Sequence, residues 1–262
     1  MKTTLAILLV ATWAATATAQ EVADAGELAK KLANPVANLI SVPIQYNRDE
    51  SVNGTRTTTN IQPVIPFSLN AEFNLITRTI FPIISAESSV PGAGNASGLG
   101  DVVQSFFFSP KEPTSAGWIW GAGPVLLWPT GSAVSARKWG IGPTVLVLKQ
   151  ENGFTYGMLA NHVSSYAGGG DHAISTTFLQ PFLSYTTKTY TTVGVNTEST
   201  YDWKSQQWTI PLNVTVSQML KVGGQPISLT LGYKYFATAP TGGPDWGLRL
   251  GFTMLFPKSG SS

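Results

Sequence analysis

The sequence predicts an all-β protein, a transmembrane antiparallel up-and-down β-barrel of about 12 strands with a short N-terminal helix. Three observations predict this class. The chain opens with an export signal, most of the remainder alternates between apolar and polar residues, and only 11% of all residues are charged. Soluble domains carry roughly 25% charged residues, so the low charge favours a surface that faces lipid.

Residues 1–19 have the form of a secretory signal peptide. Lys2 gives a positive start, an apolar core follows, and residues 17–19 read Ala-Thr-Ala, the small-x-small form that signal peptidase accepts. The stretch is short and lacks a charged stop-transfer flank, which distinguishes it from a membrane anchor. We therefore expect a cleaved signal and a mature chain that starts near Gln20 or Glu21.

The composition and motifs exclude several classes of protein. No later stretch reaches the roughly 18 consecutive apolar residues of a transmembrane helix, which excludes an inner-membrane helical bundle. Without cysteine, packing and backbone hydrogen bonds must hold the exported chain. A formal net charge of +2, scattered along the sequence, predicts no nucleic-acid partner. No phosphate-binding, dinucleotide, calcium or zinc motif occurs, so we expect no cofactor and no metal.

A helical pattern occupies residues 20–35. Asp24 and Glu27 have the spacing of a capping box, Leu28 and Leu32 share a helix face, and Pro35 ends the pattern. We expect one short helix. It is either a plug or periplasmic tether, or a terminal segment without a role.

Residues 36–257 read as one barrel domain of strands and turns, followed by a C-terminal tail of residues 258–262. The clearest alternation is WTIPLNVTVS, residues 208–217, in which large apolar residues and small or polar ones occupy opposite faces of a strand. About twelve such segments can be counted: 36–47, 57–69, 72–85, 101–109, 117–128, 139–149, 154–166, 175–186, 189–198, 206–220, 226–237 and 246–256.

The connections between these segments alternate in length. Long polar connections include NRDESVNGTR, PTGSAVSARK and ATAPTGGPD, whereas short ones lie near Asn70, Asn152-Gly153, Lys188 and Gly223-Gly224. Outer-membrane barrels have long external loops and short periplasmic turns. An even number of strands then leaves both chain termini on the periplasmic side.

An exported chain rich in strands can cross a membrane only as a closed barrel, because an unpaired backbone group in lipid costs several kcal/mol. Tryptophan side chains favour the headgroup layer, and six lie near predicted strand ends: Trp118, Trp120, Trp128, Trp139, Trp208 and Trp246. We therefore predict the bacterial outer membrane as the location and its lipids as partners.

The last strand carries a candidate assembly signal. Every second residue from Trp246 to Phe256 is large and apolar. Arg249, Gly251, Met254 and the aromatic Phe256 resemble the C-terminal recognition signal of outer-membrane barrels, although six residues follow Phe256. The resemblance implies delivery to the barrel-assembly machinery as a partner.

Further stretches resemble a bacterial outer-membrane transporter family, often labelled neuromedin-U-like, and the broader family named for the meta-pathway of phenol degradation. They cover nearly all of the mature chain and include LANPVANLISVPIQYN, NIQPVIPFSLN, FNLITRTIFPIIS, GLGDVVQSFFFSP, IWGAGPVLLWPT and GGPDWGLRLGFTMLFPK. The resemblance implies a barrel and the uptake of small molecules. It supplies no site residues.

Four charged residues fall on predicted inward faces and are candidates for lining the lumen: Glu72, Arg78, Lys234 and Arg249. Such charges either bias which solutes pass or pair across the lumen and close it. The inward faces also contain Ile76, Leu146 and Phe236. This mixture suits a narrow route for small, partly apolar molecules better than a wide porin.

An alternative reading is catalytic. His162 and Ser164 are two residues apart and therefore share a strand face, as a base and its nucleophile require. The spacing resembles the His-x-Ser of outer-membrane phospholipases and lipid A deacylases, which orient the histidine with an Asn or Glu twelve residues after the serine. That position is Thr176 here, and Asp171 lies in the nearby GGGD loop, so the orienting group is left open. With His172, these residues lack a recognised zinc spacing.

The predicted function is a passive channel or uptake protein for small solutes, with aromatic or hydrophobic molecules suggested by the family name alone. Two alternatives remain: a lipid esterase or deacylase that uses Ser164 and His162, and a structural barrel sealed by the N-terminal helix.

Overall fold

A computed structural model describes residues 19–88, 94–170 and 172–257. Apart from Ala19, the predicted signal peptide lies outside the described residues, as does the predicted tail of residues 258–262. The remaining chain forms one helix and a β-barrel, which confirms the predicted fold class.

The helix, α1, spans Ala19–Leu32. Asp24 lies within this span, and its predicted capping role stays a prediction. Lys31 and Glu27 form an ion pair of 2.6 Å one turn apart, and the Lys31 hydrogen bond lowers the pKa of the Glu27 carboxyl. After α1 the Asn34 side chain accepts a hydrogen bond from the Val36 amide, and the chain turns towards the barrel wall. No helix among the described residues is long and apolar enough to span a membrane.

Within the described residues, fifteen strands make twelve passes through the barrel wall. They are β1 Ile40–Ser51, β2 Gly54–Ile61, β3 Val64–Ser68, β4 Phe73–Ser88, β5 Ala96–Leu99, β6 Val102–Pro110, β7 Trp118–Trp128, β8 Lys138–Glu151, β9 Phe154–Gly168, β10 Ser175–Thr186, β11 Thr191–Thr197, β12 Ser199–Asp202, β13 Gln207–Val222, β14 Gln225–Thr238 and β15 Trp246–Phe256.

Three passes are each divided by a short break, giving the pairs β2/β3, β5/β6 and β11/β12. The first break contains Pro63, which has no amide hydrogen to donate to a neighbouring strand. At the third break, the register puts Pro211 of β13 opposite Glu198, so the ladder lacks a donor there as well.

The barrel is closed by antiparallel pairing of the first and last strands, from Ile40 opposite Phe256 to Glu50 opposite Trp246. Each of the other passes pairs with its neighbours in the sequence. Closure removes the unpaired sheet edges that lipid would not tolerate.

Successive residues of a strand face alternately outwards and inwards, and the structure places them on the faces that the sequence predicts. In β15, Leu248, Leu250 and Phe252 are exposed on the outer surface, while Arg249 and Thr253 are buried inside. The same pattern holds in β8, where Val145 and Val147 face outwards and Leu146 and Leu148 are buried. The barrel therefore presents an apolar outer surface.

Aromatic side chains form two girdles on this outer surface. At the end near the chain termini, Trp118 packs on Tyr156 and Phe154 on Tyr185. The girdle at the opposite end consists of three groups of rings: Trp128 with Trp139, Tyr201 with Trp203 and Trp208, and Tyr233 with Trp246. Such girdles mark the two membrane interfaces.

Connections at the two ends differ in length. Turns of residues 152–153 and 223–224 lie at the terminal end, and loops of residues 129–137 and 239–245 lie at the other, which we call the loop end. This asymmetry makes the terminal end periplasmic. The predicted long connection at residues 47–56 is wrong: β1 continues to Ser51 and turns through two residues into β2, because the polar residues there extend the hairpin rather than end it.

Candidate functional site

The interior of the barrel is divided into an apolar part and a polar part. Along β4 to β9, the terminal half of the lumen is filled by Ile76, Phe107, Leu146, Leu148 and Leu159, which are almost completely buried. Val36, from the segment after α1, is part of the same cluster. Because these side chains pack against one another, this part of the lumen has no room for solute.

Helix α1 lies across the terminal end of the barrel. Ala29 packs with Leu39, Met219 of β13 and Leu255 of β15 in a second apolar cluster. On another side, the Gln150 side-chain amide of β8 donates a hydrogen bond of 2.9 Å to the Lys30 carbonyl. The helix is thus held by strands from different parts of the wall.

A cavity of about 200 Å³ separates α1 from the polar part of the wall. Its floor is formed by Ala29 and Leu32 of α1 and by Ala33, which follows the helix. Most of its wall consists of hydroxyl groups from β10 to β15. The hydroxyl residues are Ser184, Thr192, Ser217, Ser228, Thr230 and Thr253. Polar and charged side chains continue from this cavity along the inner face of the wall towards the loop end, and we call this polar lining the polar route.

Arg249 lies next to this cavity on its loop-end side, and its side chain extends across the polar route. Its guanidinium group donates two hydrogen bonds, of 2.9 and 2.8 Å, to the Glu198 carboxylate and one of 2.7 Å to the Asn47 side-chain oxygen. Arg249 is buried, and the Glu198 side chain is 26% exposed. This fork geometry satisfies both charged groups inside the wall.

A second ion pair lies closer to the loop end. Lys234 of β14 donates to the Asp49 carboxylate of β1 at 2.6 Å, and its ammonium lies 5.3 Å from the centre of the Phe236 ring. Asp49 also lines a cavity of about 340 Å³ at the mouth, together with Arg56 and Phe236. Polar and charged side chains therefore line the interior from the cavity above α1 to the cavity near the external loops.

Arg78 also faces the interior, where it donates a hydrogen bond of 2.6 Å to the Gln62 side chain. Five inward charged groups lie between the two cavities or beside them: Asp49, Arg78, Glu198, Lys234 and Arg249. They comprise three cations and two anions, so in their ordinary ionised states these five sum to one positive charge. We call these five residues the lumen network.

The structure places three of the four predicted lumen residues inside the barrel. Glu72 differs: it is exposed in the turn between β3 and β4, because the Asn70 side chain accepts hydrogen bonds from the Glu72 and Phe73 amides and delays the start of the strand. Sequence reasoning missed Asp49, which it assigned to a loop, and Glu198, which falls in a nearly all-polar segment without clear alternation.

The residues of the predicted assembly signal occupy different faces of β15. Met254 and Phe256 are on the outer face, and Arg249 belongs to the lumen network. Gly251 faces Thr230 so closely that an added Cβ would lie 2.9 Å from the threonine Cβ, which explains the absence of a side chain there. Nothing in this arrangement bears on recognition by another protein.

His162 and Ser164 lie together on the outer face of β9. His162 Nε2 is 3.0 Å from Ser164 Oγ, and His162 Nδ1 is 2.9 Å from Thr177 Oγ1 on β10. Thr176, at the spacing taken from the phospholipases, is on the inward face of β10, and its neighbour Thr177 is the residue that contacts His162. Asp171 lies outside the described residues.

Among the residues that the structure describes, no group of three or more His, Asp or Glu side chains could hold a metal ion. His172 is exposed in the loop between β9 and β10.

Comparisons with known proteins relate the barrel to solved outer-membrane structures. No family model matches the chain, and no curated protein matches its sequence. The COG4313 outer membrane channel from Pseudomonas putida F1 has a TM-score of 0.66 at 14% identity, over 84% of this chain and 96% of that one.

Two further solved structures are similar. The NanC porin has a TM-score of 0.50 at 10% identity, over 82% of this chain and 98% of that one. Outer membrane phospholipase A from Escherichia coli has a TM-score of 0.50 at 9% identity, over 88% and 98%. These identities establish likeness of fold alone. With its closed wall, apolar outer surface and paired aromatic girdles, the protein is a β-barrel of the bacterial outer membrane.

Proposed function

We propose that the protein is a passive outer-membrane channel for small solutes. The observation that carries this proposal is the polar route along β10 to β15, from the cavity above α1, past the lumen network, to the cavity at the mouth. Hydroxyl and charged groups along the interior are the lining that a hydrated route for solutes requires.

The proposed solutes are small and partly apolar. The hydroxyl-bearing wall of the route stands opposite an apolar filling to which Phe178 and Phe182 of β10 contribute, and Phe236 lies at the mouth. A solute with one apolar face and one hydrogen-bonding face matches such a lining. The segments that resemble the neuromedin-U-like transporter family support the same class, and we propose membership of that family.

The alternative of a sealed structural barrel is favoured by two observations. Helix α1 packs across the terminal end, and the Arg249–Glu198 and Lys234–Asp49 ion pairs join inward charges across the lumen. The two functions differ in what the folded protein does in a membrane. A channel conducts ions when α1 moves or when ions pass through the cavity beside it, whereas a sealed barrel does not conduct.

The test is ion conductance of the purified mature protein in planar bilayers. We expect discrete conductance steps, with a selectivity set by the lumen network. Arg249→Ala removes a cation and should shift permeability towards cations, and Glu198→Gln removes an anion and should shift it towards anions. Glu72→Gln is the control. It removes one negative charge, as Glu198→Gln does, but from an exposed turn, and it should leave the ion selectivity unchanged.

Absence of conductance from correctly folded protein would refute the channel. Selectivity that is the same in Arg249→Ala and Glu198→Gln would show that ions avoid the lumen network. Swelling of liposomes in solutions of neutral solutes of increasing size then measures the width of the route.

A further inference from the structure

Four polar side chains form a row of hydrogen bonds on the lipid-facing surface of the barrel, which we call the outer row. Ser164 Oγ is 3.0 Å from His162 Nε2, His162 Nδ1 is 2.9 Å from Thr177 Oγ1, and the Trp203 indole donates to the same Thr177 oxygen at 2.9 Å. Four side chains from three successive passes of the wall are thereby joined. Most neighbouring outward positions carry apolar side chains.

The strand pairing shows that the outer row faces away from the lumen. Thr177 is directly opposite His162 in the β9–β10 register, so the two side chains share a face. The intervening Val163 is buried on the other face. Phe178, which follows Thr177, packs inside the barrel.

The outer row lies at the level of the loop-end aromatic girdle. Tyr201 is opposite Thr177 in the β10–β12 pairing, and Ser164 is opposite Ile141, two residues from Trp139 of that girdle. Since the loop end is external, this level is the interface of the outer leaflet, where the ester groups of lipids lie.

The contacts of His162 fit either neutral tautomer, and the proposed reaction uses one of them. The Trp203 indole is a donor only and fills one lone pair of Thr177 Oγ1. In the tautomer that the proposed reaction uses, the second lone pair of Thr177 Oγ1 accepts from His162 Nδ1–H, and the unprotonated Nε2 faces the hydroxyl of Ser164. A serine hydroxyl that donates to an oriented imidazole is the arrangement of an activated nucleophile.

We propose that Ser164, His162 and Thr177 form a catalytic site that hydrolyses acyl esters of outer-leaflet lipids. This activity goes beyond the channel function and does not depend on it. A lipid is the proposed substrate because the site opens to the membrane rather than to the lumen.

The reaction has two balanced steps. Ser164 Oγ attacks the ester carbonyl carbon while His162 Nε2 takes the serine proton; the ester C–O bond breaks, and His162 returns the proton to the leaving alcohol. Water then attacks the acyl-serine, His162 takes a proton from it, and the acyl group leaves as a fatty acid when Ser164 recovers its proton. Thr177 is a positioning residue, held in turn by Trp203.

The first test is covalent labelling of folded protein in mixed micelles with a long-chain fluorophosphonate, followed by peptide mass mapping. We expect the label on Ser164 and its loss in Ser164→Ala and His162→Ala. Ser175→Ala is the matched control, because Ser175 is opposite Ser164 on the same outer face. Heat-modifiable migration on gels shows that each variant is folded. A folded native protein without label on Ser164, or label that persists in His162→Ala, overturns the proposal.

The second test measures release of fatty acid from phospholipid in mixed micelles. We expect release by the native protein and by Ser175→Ala, and none by Ser164→Ala, which also excludes a contaminating lipase. Thr177→Val should lower kcat at least tenfold with little change in KM, and Thr177→Ser should restore it, since only the hydroxyl orients the histidine. Equal rates for native protein and Ser164→Ala overturn the proposal even if the serine is labelled.

Discussion

Arg249 is the residue on which the polar interior most depends. It is buried, and its three hydrogen bonds join Glu198 of the β11/β12 break to Asn47 of β1. A buried ion pair contributes little net stability compared with an apolar pair of similar volume, but the loss of one partner leaves a charge that nothing compensates. The intact pair therefore adds little to the free energy of unfolding, whereas the loss of one partner lowers it strongly.

Arg249→Ala should lower the free energy of unfolding by about 3 kcal/mol, the lower end of the range for a broken buried pair, since Glu198 keeps some solvent contact. The double change Arg249→Ala with Glu198→Ala should cost less than Arg249→Ala alone, because no unpaired carboxylate remains. Urea unfolding in detergent micelles measures both. Additive costs would mean that the two side chains do not interact.

Among the elements, α1 bears most directly on the proposed channel, because it lies across the terminal end of the barrel. Its apolar cluster is small, comprising mainly Ala29 with Leu28 and Leu32 against Met219 and Leu255. Short helices gain most of their stability from such packing. Disturbing a single buried position should therefore free the terminal end of the barrel.

Ala29→Glu places a carboxylate in the second apolar cluster at a cost of several kcal/mol, more than this small contact supplies. We expect α1 to leave the terminal end of the barrel and the single-channel conductance to rise. Lys30→Glu introduces the same side chain at the exposed neighbouring position and should leave conductance as in the native protein. If Ala29→Glu is folded but conducts no more than Lys30→Glu, α1 does not close the route.

The elements also show what could be predicted from the sequence. Alternation identifies β13 and β15 and their inward faces, because a residue's face depends only on its position in its own strand. Contacts across the barrel depend on the register of other strands. Glu198 is 51 positions from its partner Arg249, and Thr177 replaces Thr176 because of the β9–β10 register. Such contacts leave no local pattern.

At the scale of the whole molecule, stability and assembly depend on the closure of β1 with β15. Phe256 lies at the terminal end of this seam, opposite Ile40, and its ring is on the outer face. An acidic substitution near the membrane interface costs about 1 kcal/mol or less, so the folded barrel should tolerate it. Any strong effect of such a change must therefore arise during assembly.

We expect Phe256→Asp to prevent assembly in cells, because it removes the terminal aromatic of the predicted signal for the barrel-assembly machinery. The same variant should refold from urea into detergent, where no machinery is present. Phe67→Asp is the matched control: Phe67 is a comparably exposed outer-face aromatic in β3, which pairs with β1 and β4 and not with the last strand. Heat-modifiable migration on gels reports folding in both settings. A refolding defect of Phe256→Asp without the machinery would assign Phe256 to the stability of the seam, whereas equal assembly of both variants in cells would argue against a recognition role for the last strand.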